Sequence, residues 1–416
     1  MPVVSQTIPN FLNGLSEQTP TQRGINQGTD QINYQNNIVE GLTKRPPLEF
    51  VATVDSGNVY PNTIKFWNIN RDAASRFIVT FYNGGVKVFG LDGTSYPVSF
   101  PNGTSYLTST NPREDFNCVS VADFTFIANK SIIPTASASS SPAKVEEFLI
   151  NVAKSQYGIE YKVTVNHPSM SNPIAVIFQM PSGNDATTDS TFRDTNKIKD
   201  ILLNGTSSTH WNSGASQIGF KTINATSGAV LSTTQGLSNY SGITSHFTFE
   251  SYDSVIYGKP TDGNAGYTVE SADGQGNLAM YVVRDEIQDF SRLPYYGKTN
   301  VKIKVTGDEG DTLTDYFVAF QGNGVWSETI APGTSLGLDN TKMPHALVNN
   351  NNGTFTFKQL TFNERICGSI TTNPDPSFVG QAIQNLTFYK NRLGLLSGEN
   401  LIFTENGGFF NFYGTT

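Results

Sequence analysis

The sequence predicts a mainly β fold, and its composition gives the first reason. Only 15% of the 416 residues are charged, whereas helix-rich proteins carry many Glu, Lys, Ala and Leu residues. The 28 phenylalanines and 17 tyrosines favour strands, and the 38 glycines suit the turns between them. A chain of this length can form two or three domains, each with its own core.

The second reason is a succession of strand and turn signals from Trp67 to Phe100. Phe77–Tyr82 is almost wholly apolar, Asn83-Gly84-Gly85 has the residues of a hairpin turn, and Val86–Phe89 provides the returning strand. Because Phe77–Tyr82 is apolar on both faces, we expect both faces to be covered. Sheets stacked as propeller blades meet that condition, so the sequence predicts β-propeller-type blades.

Two later stretches repeat this pattern. Val119–Ala128 follows Phe77–Tyr82 by about one blade period of roughly 40–50 residues. Arg392–Thr404 comes much later, with the apolar runs Arg392–Leu396 and Leu401–Thr404 on either side of a four-residue turn. That second gap is too long for adjacent blades and therefore predicts a large insertion.

The last hairpin has a predicted strand on each side. Leu386, Phe388 and Tyr389 indicate a strand before it, and Phe409–Tyr413 is predicted to begin another strand after it. The chain ends at Thr416, so we expect the propeller to be incomplete in this chain.

The insertion is predicted to be mixed but β-rich. It begins after Pro134–Lys144, a Ser, Ala and Pro segment without periodicity that indicates a linker or an exposed loop. Glu147–Val152 and Glu160–Val165 are predicted to pair as strands around Gln156-Tyr157-Gly158. Further strands are predicted at Phe247–Tyr252, Gly266–Val269, Ala279–Val283, Val301–Val305 and Tyr316–Gln321.

One helix is predicted within the insertion, at Thr195–Leu203. Asp194 can cap its first turn, Ile198 and Ile201 share one face, and Gly205 can end it.

Charge and cysteine content exclude several classes of protein. The net charge is −8 and the pI about 5.1, which argues against a protein that grips nucleic acid by neutralising phosphates. Cys118 and Cys367 are too few and too far apart for a disulfide scaffold or a zinc site. No stretch approaches the roughly 20 apolar residues of a membrane helix, and we predict no membrane segment.

The sequence shows no convincing active site. Its histidines, which are His167, His210, His246 and His345, lack metal-binding spacing, and we expect them to be solvated or bonded to the backbone. Ser335 lies in a G-x-S-x-G match, but Ala331-Pro332 and Gly337-Leu338 flank it with turn residues instead of a strand and a helix.

Acidic residues are likewise interpreted as surface groups. Gly307–Asp311 holds three carboxylates in a turn that lacks the ligand order of a calcium loop. A glycosidase needs two converging carboxylates, and nothing in the sequence brings together the candidates Asp285, Glu286, Asp289 and Asp315. We therefore predict no enzymatic activity, no catalytic residue, no metal and no cofactor.

Several motifs occur in the order found in one protein family. Asn391-Arg392-Leu393-Gly394 followed by Ser397-Gly398-Glu399-Asn400 resembles the nozzle (tail tubular protein B) family of T7-like short-tailed bacteriophages. Further similar stretches are Gly41–Pro47, Ile69–Asp72, Val121–Asn129, Gln156-Tyr157-Gly158 and Met343-Pro344. The resemblance covers the whole chain but only the N-terminal half of the family pattern.

This resemblance implies a structural role in the virion tail. The expected assembly is a six-fold ring of copies that joins an adaptor (tail tubular protein A-like) protein, holds tail fibres and encloses a channel for the genomic DNA. An acidic channel wall would repel phosphate, so DNA would pass without sequence-specific binding.

The predicted domain order follows from the strand pattern and the resemblance together. We expect an N-terminal arm at 1–40 that contacts tail neighbours and first propeller blades at 41–134. An inserted β-rich domain with the short helix is expected at 145–290 and a second inserted β-rich module at 291–360. The return to the propeller is expected at 361–416.

Five charged residues are candidate interface or blade-fastening residues. Lys44 and Arg45 precede a Pro-Pro pair and form either a solvated basic turn or an interface contact. Arg71 and Arg392 either fasten blades together or contact a neighbour. Glu399 lies in the turn of the last hairpin.

An alternative function is a β-rich surface protein that binds or degrades glycan. It predicts a pocket in which an aromatic residue such as Trp67, Trp211 or Trp326 meets converging carboxylates. The order of the family motifs favours the structural role.

Overall fold

The computed structural model describes residues 5, 7–8, 10–55, 60–184, 189–207, 219–307 and 312–415. The chain forms two compact units, one of residues 1–59 with 89–95 and one of residues 60–88 with 96–416. Most of the regular structure is strand, and the described helices are few and short. Among the described residues, none of the helices has the length and apolar character needed to cross a membrane.

The amino-terminal segment, residues 10–55, contains one hairpin. Strands β1 (Tyr34–Asn37) and β2 (Gly41–Lys44) pair antiparallel in this hairpin. Ile38 and Val39 at its tip are 93% and 91% exposed. Turn residues around Val39 support these two short strands, the first of which lies in the range predicted to form an arm.

Strands and one helical turn follow in chain order as β3 (Lys65–Asn70), β4 (Arg76–Tyr82), β5 (Gly85–Gly90), β6 (Ser95–Tyr96), β7 (Val98–Ser99), α1 (Pro112–Asp115), β8 (Phe116–Val121) and β9 (Phe124–Asn129). The predicted strands at Phe77–Tyr82 and Val86–Phe89 are confirmed as β4 and β5.

The chain then continues through β10 (Phe148–Val152), β11 (Glu160–Asn166), β12 (Ile174–Gln179), α2 (Thr195–Asn204), β13 (Phe220–Asn224), β14 (Val230–Ser232), α3 (Ser241–Thr244), β15 (Phe247–Tyr252), β16 (Val255–Pro260), β17 (Thr268–Ala272), β18 (Met280–Arg284), β19 (Glu286–Ile287), β20 (Lys302–Val305), β21 (Tyr316–Gly322) and β22 (Val325–Thr329). Its last strands are β23 (His345–Asn349), β24 (Phe355–Lys358), β25 (Ile383–Tyr389), β26 (Arg392–Ser397) and β27 (Asn400–Phe403).

Three sheets use strands that come before β10 or after β22, and one of them combines strands from both groups. Sheet A has the order β3-β4-β5-β6, sheet B the order β7-β24-β23-β9-β8, and sheet C the order β25-β26-β27. In sheet B, β23 pairs directly with β9, so that Leu347 lies opposite Thr125. The chain therefore leaves sheet B after β9 and re-enters it at β23.

Sheets A, B and C pack in sequence, with sheet B in the middle. One face of sheet B, with Ile127, Leu347 and Phe357, shares a core with Phe77 and other residues of sheet A. Its opposite face, with Phe126 and other residues, shares a core with sheet C. Sheet B is apolar on both faces because each face is covered, which is the arrangement expected of such strands.

The chain between β9 and β23 forms two further sheets. Sheet D has the order β14-β13-β12-β11-β17, and sheet E the order β15-β16-β10-β18-β19-β20-β21-β22. Alternate residues of β10 point to opposite faces, so Phe148 and Ile150 join a core with sheet D, whereas Leu149 joins a core with β20 and β21. Sheet E contains strands on both sides of residue 290, the predicted boundary between the two inserted parts, because β19 pairs with β20. In none of the described sheets do the two outermost strands pair to close a barrel.

The predicted helix is confirmed as α2. The Asp194 side chain accepts a hydrogen bond from the Asn196 amide at 2.9 Å, and Ile198 and Ile201 are buried. Gly205 ends the helix with a φ of 73°, and a Cβ there would lie 1.9 Å from the Thr234 carbonyl oxygen. Only glycine fits that position.

Two strand predictions were wrong. Glu147–Val152 and Glu160–Val165 do not pair with each other, because β10 pairs with β16 and β18 while β11 pairs with β12 and β17. Phe409–Tyr413 is a loop and begins no strand. Its aromatic side chains pack into the core of sheets B and C instead, which explains their apolar character.

The predicted linker Pro134–Lys144 is also more ordered than its composition suggests. It runs beside residues 331–339, with Ala136 opposite Leu338 and Ser140 opposite Ser335. The buried Ser141 hydroxyl donates to the Ala331 carbonyl oxygen at 2.5 Å. We call these two paired passages the connector, because they link sheet B to sheets D and E.

Candidate assembly surfaces

Arg71 lies between two sheets. It follows β3 of sheet A, and its guanidinium forms an ion pair with Asp123 in the β8–β9 turn of sheet B. It also lies 3.4 Å from Asn351 in the β23–β24 loop and 3.4 Å from its neighbour Asp72. Since the Arg71 side chain is 39% exposed, it can bridge the sheets and still meet another molecule.

Arg392 and Glu399 lie on the exposed surface of sheet C. Arg392 begins β26 and Glu399 occupies the turn before β27. Within the described part of the chain, the Arg392 side chain forms no ion pair or hydrogen bond. Its role, either at an interface or in fastening sheets together, stays a prediction.

Lys44 and Arg45 lie at the end of the amino-terminal hairpin, and both are exposed. The Arg45 amide donates to the Asn33 carbonyl oxygen at 2.8 Å, and its guanidinium lies 3.3 Å from the Asn33 side-chain oxygen. The following residues carry exposed apolar groups, with Leu48 87% and Phe50 79% exposed. Apolar groups grouped in this way are typical of a surface that another chain covers.

A buried arginine that sequence reasoning missed holds the connector in place. The side chain of Arg365 is fully buried and forms an ion pair with Asp375 at 2.9 Å. Its guanidinium donates to the carbonyl oxygens of Ser335 and Asn373, and it stacks 4.6 Å from the centre of the Tyr413 ring. In the sequence, Arg365 resembles any surface arginine, because its partners are distant along the chain.

The histidines are more tightly packed than expected. His167 is buried, accepts a hydrogen bond from the Ser169 amide at Nδ1, and so donates from Nε2 to Asp262 at 3.1 Å. The His246 ring stacks on it with a centroid distance of 5.1 Å. His345 donates to the Met343 carbonyl oxygen, and its burial lowers its pKa. His210 lies outside the described residues.

The other candidates for chemistry are placed in structural contacts. Ser335 lies in the connector and has no helix after it. Burial raises the pKa of the Cys118 thiol to about 12, and neither Cys118 nor Cys367 forms a disulfide. Searched over the described ranges, no group of three or more His, Cys, Asp or Glu residues could hold a metal ion. Asp308–Asp311, within the acidic turn, lies outside those ranges.

Three of the four acidic residues considered for a glycosidase form ion pairs with lysines. Glu286 and Asp315 both approach the Lys304 ammonium, at 3.9 and 2.6 Å, and Asp285 lies 2.8 Å from Lys144. Asp289 accepts a hydrogen bond from the Ser291 amide at 2.8 Å. Three of these carboxylates therefore form ion pairs, and the fourth caps a helical turn.

Two described tryptophans are occupied in packing. The Trp67 indole donates to the Ser120 hydroxyl at 2.8 Å, and the Trp326 indole donates to the Pro294 carbonyl oxygen at 2.8 Å. Trp211 lies outside the described residues. The indole N–H groups of Trp67 and Trp326 are therefore both used in hydrogen bonds within the chain.

Comparison with known proteins identifies the class. The sequence profile of the bacteriophage nozzle protein family matches residues 1–416, and the chain belongs to that family. It is similar to tail tubular protein gp12 of Escherichia phage T7, with 31% identity over 422 residues. That alignment covers 99% of this chain and 48% of the T7 protein, so the chain spans about half the length of its relative.

Family membership confirms the resemblance found in the motifs. The chain is a structural protein of a bacteriophage tail and a component of the virion.

Proposed function

We propose that this chain forms part of a tail nozzle, a six-fold ring that encloses the DNA ejection channel, joins the adaptor and holds tail fibres. The match of the nozzle family profile from residue 1 to residue 416 carries this proposal. The T7 relative is named a tail tubular protein, and a tube around the tail axis requires several copies of one chain.

The packing of sheets A, B and C supports a propeller-like body. Each blade of a propeller is a small antiparallel sheet that packs face to face with the next blade. Sheet B has this environment, because Ile127 contributes to the core on one face and Phe126 to the core on the other. Sheets A, B and C would then be consecutive blades.

The proposed domain order follows the path of the chain. An arm at 1–40 contacts neighbours, the first blades lie in 41–134, and the chain returns to the propeller in 361–416. The ranges 145–290 and 291–360 hold the inserted β-rich parts that project towards the fibres. Within 291–360, β23 and β24 complete sheet B, so the earlier residues of that range would project.

A count of copies in purified virions tests the ring. Quantitative mass spectrometry against the portal protein should give about six copies of this protein for a portal ring of about twelve subunits. Absence from the particle would overturn the structural role.

The proposal that DNA passes the channel wall without binding is tested separately. A net charge of −8 suits a wall that repels phosphate. We expect no binding of a labelled DNA duplex by fluorescence anisotropy at about 150 mM salt, a condition under which non-specific binders are already weak. Tight binding at that salt concentration would contradict the non-adhesive channel.

A further inference from the structure

A cationic cleft of about 920 Å³ opens where β3, α1 and β8 meet. Its lining includes Ile64, Lys65, Phe66, Arg113, Glu114 and Lys130. The edges of two sheets form its walls, since β3 is the outermost strand of sheet A and β8 the outermost strand of sheet B.

Hydrogen bonds between the two walls fix the shape of the cleft. The Arg113 amide donates to the Thr63 carbonyl oxygen at 2.7 Å and ties α1 to the chain that enters β3. Further along β3, the Trp67 indole donates to the Ser120 hydroxyl of β8 at 2.8 Å and ties the two strands together. The buried Ile64 lies between these two contacts in the sequence. The cleft is therefore preformed in the folded chain.

The charge of the cleft is opposite to that of the chain. Lys65, Arg113 and Lys130 line it together with a single carboxylate, Glu114. None of these three cations forms an ion pair with a carboxylate of the described residues. By contrast, Lys298 pairs with Glu250 at 2.5 Å and Lys304 pairs with Asp315 at 2.6 Å. A concave surface with a net positive charge concentrates the field that attracts an anionic partner.

The mouth of the cleft also exposes an aromatic side chain. Phe66 is 59% exposed, and the ring of the nearby Tyr60 lies 5.8 Å from that of Tyr82. An exposed aromatic group beside cations is typical of protein interfaces, in which such residues contribute much of the binding energy.

We propose that this cleft receives an acidic segment from a second copy of the chain. The proposal rests on the ring proposed above and identifies one of its subunit contacts. Copies that each carry a charge of −8 repel one another, so a subunit contact needs a local reversal of charge. In a ring, each subunit meets its neighbour through two different surfaces, which allows a cationic surface to face an acidic one.

A short acidic segment fits the cleft better than duplex DNA. DNA carries one negative charge per roughly 1.7 Å along its axis and is gripped by an extended basic stripe. The cations here are instead gathered in one cleft between α1 and the edge strands of two sheets.

The first test reverses the charge of the cleft. The full-length triple variant Lys65→Glu, Arg113→Glu, Lys130→Glu should associate at least about tenfold more weakly than wild type in sedimentation experiments at moderate salt. The matched control is Lys154→Glu, Arg193→Glu, Lys197→Glu, which changes three exposed cations on or near sheets D and E by the same charge. The control should associate like wild type, and equal thermal unfolding of the two variants shows that both fold.

The second test identifies the occupant. Carbodiimide joins lysines to carboxylates that touch them, and a mixture of ¹⁴N- and ¹⁵N-labelled protein marks links between copies. We expect Lys65 or Lys130 to link to an acidic residue of the other isotopic species. The proposal would be overturned if the mixed-isotope links avoid both lysines and the triple variant associates as strongly as wild type.

The outcomes separate this inference from the proposed ring. Absence of a ring both in the concentrated wild-type protein and in the virion copy count overturns the ring and this contact together. A ring that the triple variant still forms overturns this contact alone. Binding of a DNA duplex by wild type that the triple variant loses would assign the cleft to nucleic acid and overturn the proposal.

Discussion

Sheet B and the amino-terminal segment place similar residues in opposite environments. In sheet B, Phe357 is fully buried between strands that lie far apart in the sequence. In the amino-terminal segment, Phe50 is 79% exposed and Ile38 is 93% exposed. The segment contains a hairpin of two short strands, which is marginally stable by itself in water.

The difference shows which region carries its own stability. Sheet B is covered on both faces within one chain, so its apolar residues contribute to the free energy of folding directly. The amino-terminal segment leaves its apolar residues exposed, which agrees with the proposal that this arm contacts neighbours.

Hydrogen exchange should show the largest contrast between them. Amides of the β9–β23 pair, such as those of Phe126 and Leu347, should exchange only through global unfolding, which costs roughly 5–15 kcal/mol. Amides of β1 and β2, such as that of Thr43, should exchange at least about a thousandfold faster by local opening. Mass spectrometry of the unassembled protein measures both exchange rates. Equal protection of the two sets of amides would show that the two regions do not differ in stability.

Truncation of a phenylalanine should differ strongly between the regions. Phe357→Ala should lower the free energy of unfolding by about 3–5 kcal/mol, because it leaves a cavity between sheets A and B. The matched variant Phe50→Ala should change it by less than about 0.5 kcal/mol, because the side chain is exposed. Denaturant unfolding measures both variants, and a comparable loss for Phe50→Ala would show that the segment is covered within one chain.

Substitution of a buried and of an exposed arginine should affect stability very differently. Arg365→Met should destabilise the protein by roughly 3 kcal/mol, because Asp375 and two carbonyl oxygens lose their buried donor. Arg45→Met should have little effect on the isolated chain, since Arg45 is exposed. Thermal unfolding checks the pair, and a stable Arg365→Met variant would contradict the role given to the connector.

Arg71→Ala should have the smallest effect on folding. Its ion pair with Asp123 is partly exposed, and such pairs contribute about 0.2–1 kcal/mol. The double variant with Asp123→Ala should then cost little more than either single change, which a double-mutant cycle measures. A coupling energy well above 1 kcal/mol would show that Arg71 fastens sheets A and B more strongly than its exposure indicates.

Much of the local structure could be predicted because its signals lie within a few residues. The turn Asn83-Gly84-Gly85 predicted the β4–β5 hairpin, and Asp194 with Gly205 predicted both ends of α2. The family membership also followed from sequence, through the order of motifs such as Ile69–Asp72 and Val121–Asn129. These features depend on backbone preferences and capping groups that neighbouring residues supply.

The sequence did not determine which strands pair across long distances. It predicted that β10 would pair with the strand after it, whereas β10 pairs with β16 and β18. A strand that is apolar on both faces fits many partners equally well, so its neighbours are chosen by the packing of whole sheets.

The same reasoning applies to the sites. By itself the sequence determined that the protein is mainly β, where most of its hairpins turn, and which family it belongs to. The tertiary structure alone buried Arg365 in the connector and brought Lys65, Arg113 and Lys130 to one cleft. A charged residue has no local signal for its environment, because its partners are brought to it by the burial of apolar surface elsewhere in the chain.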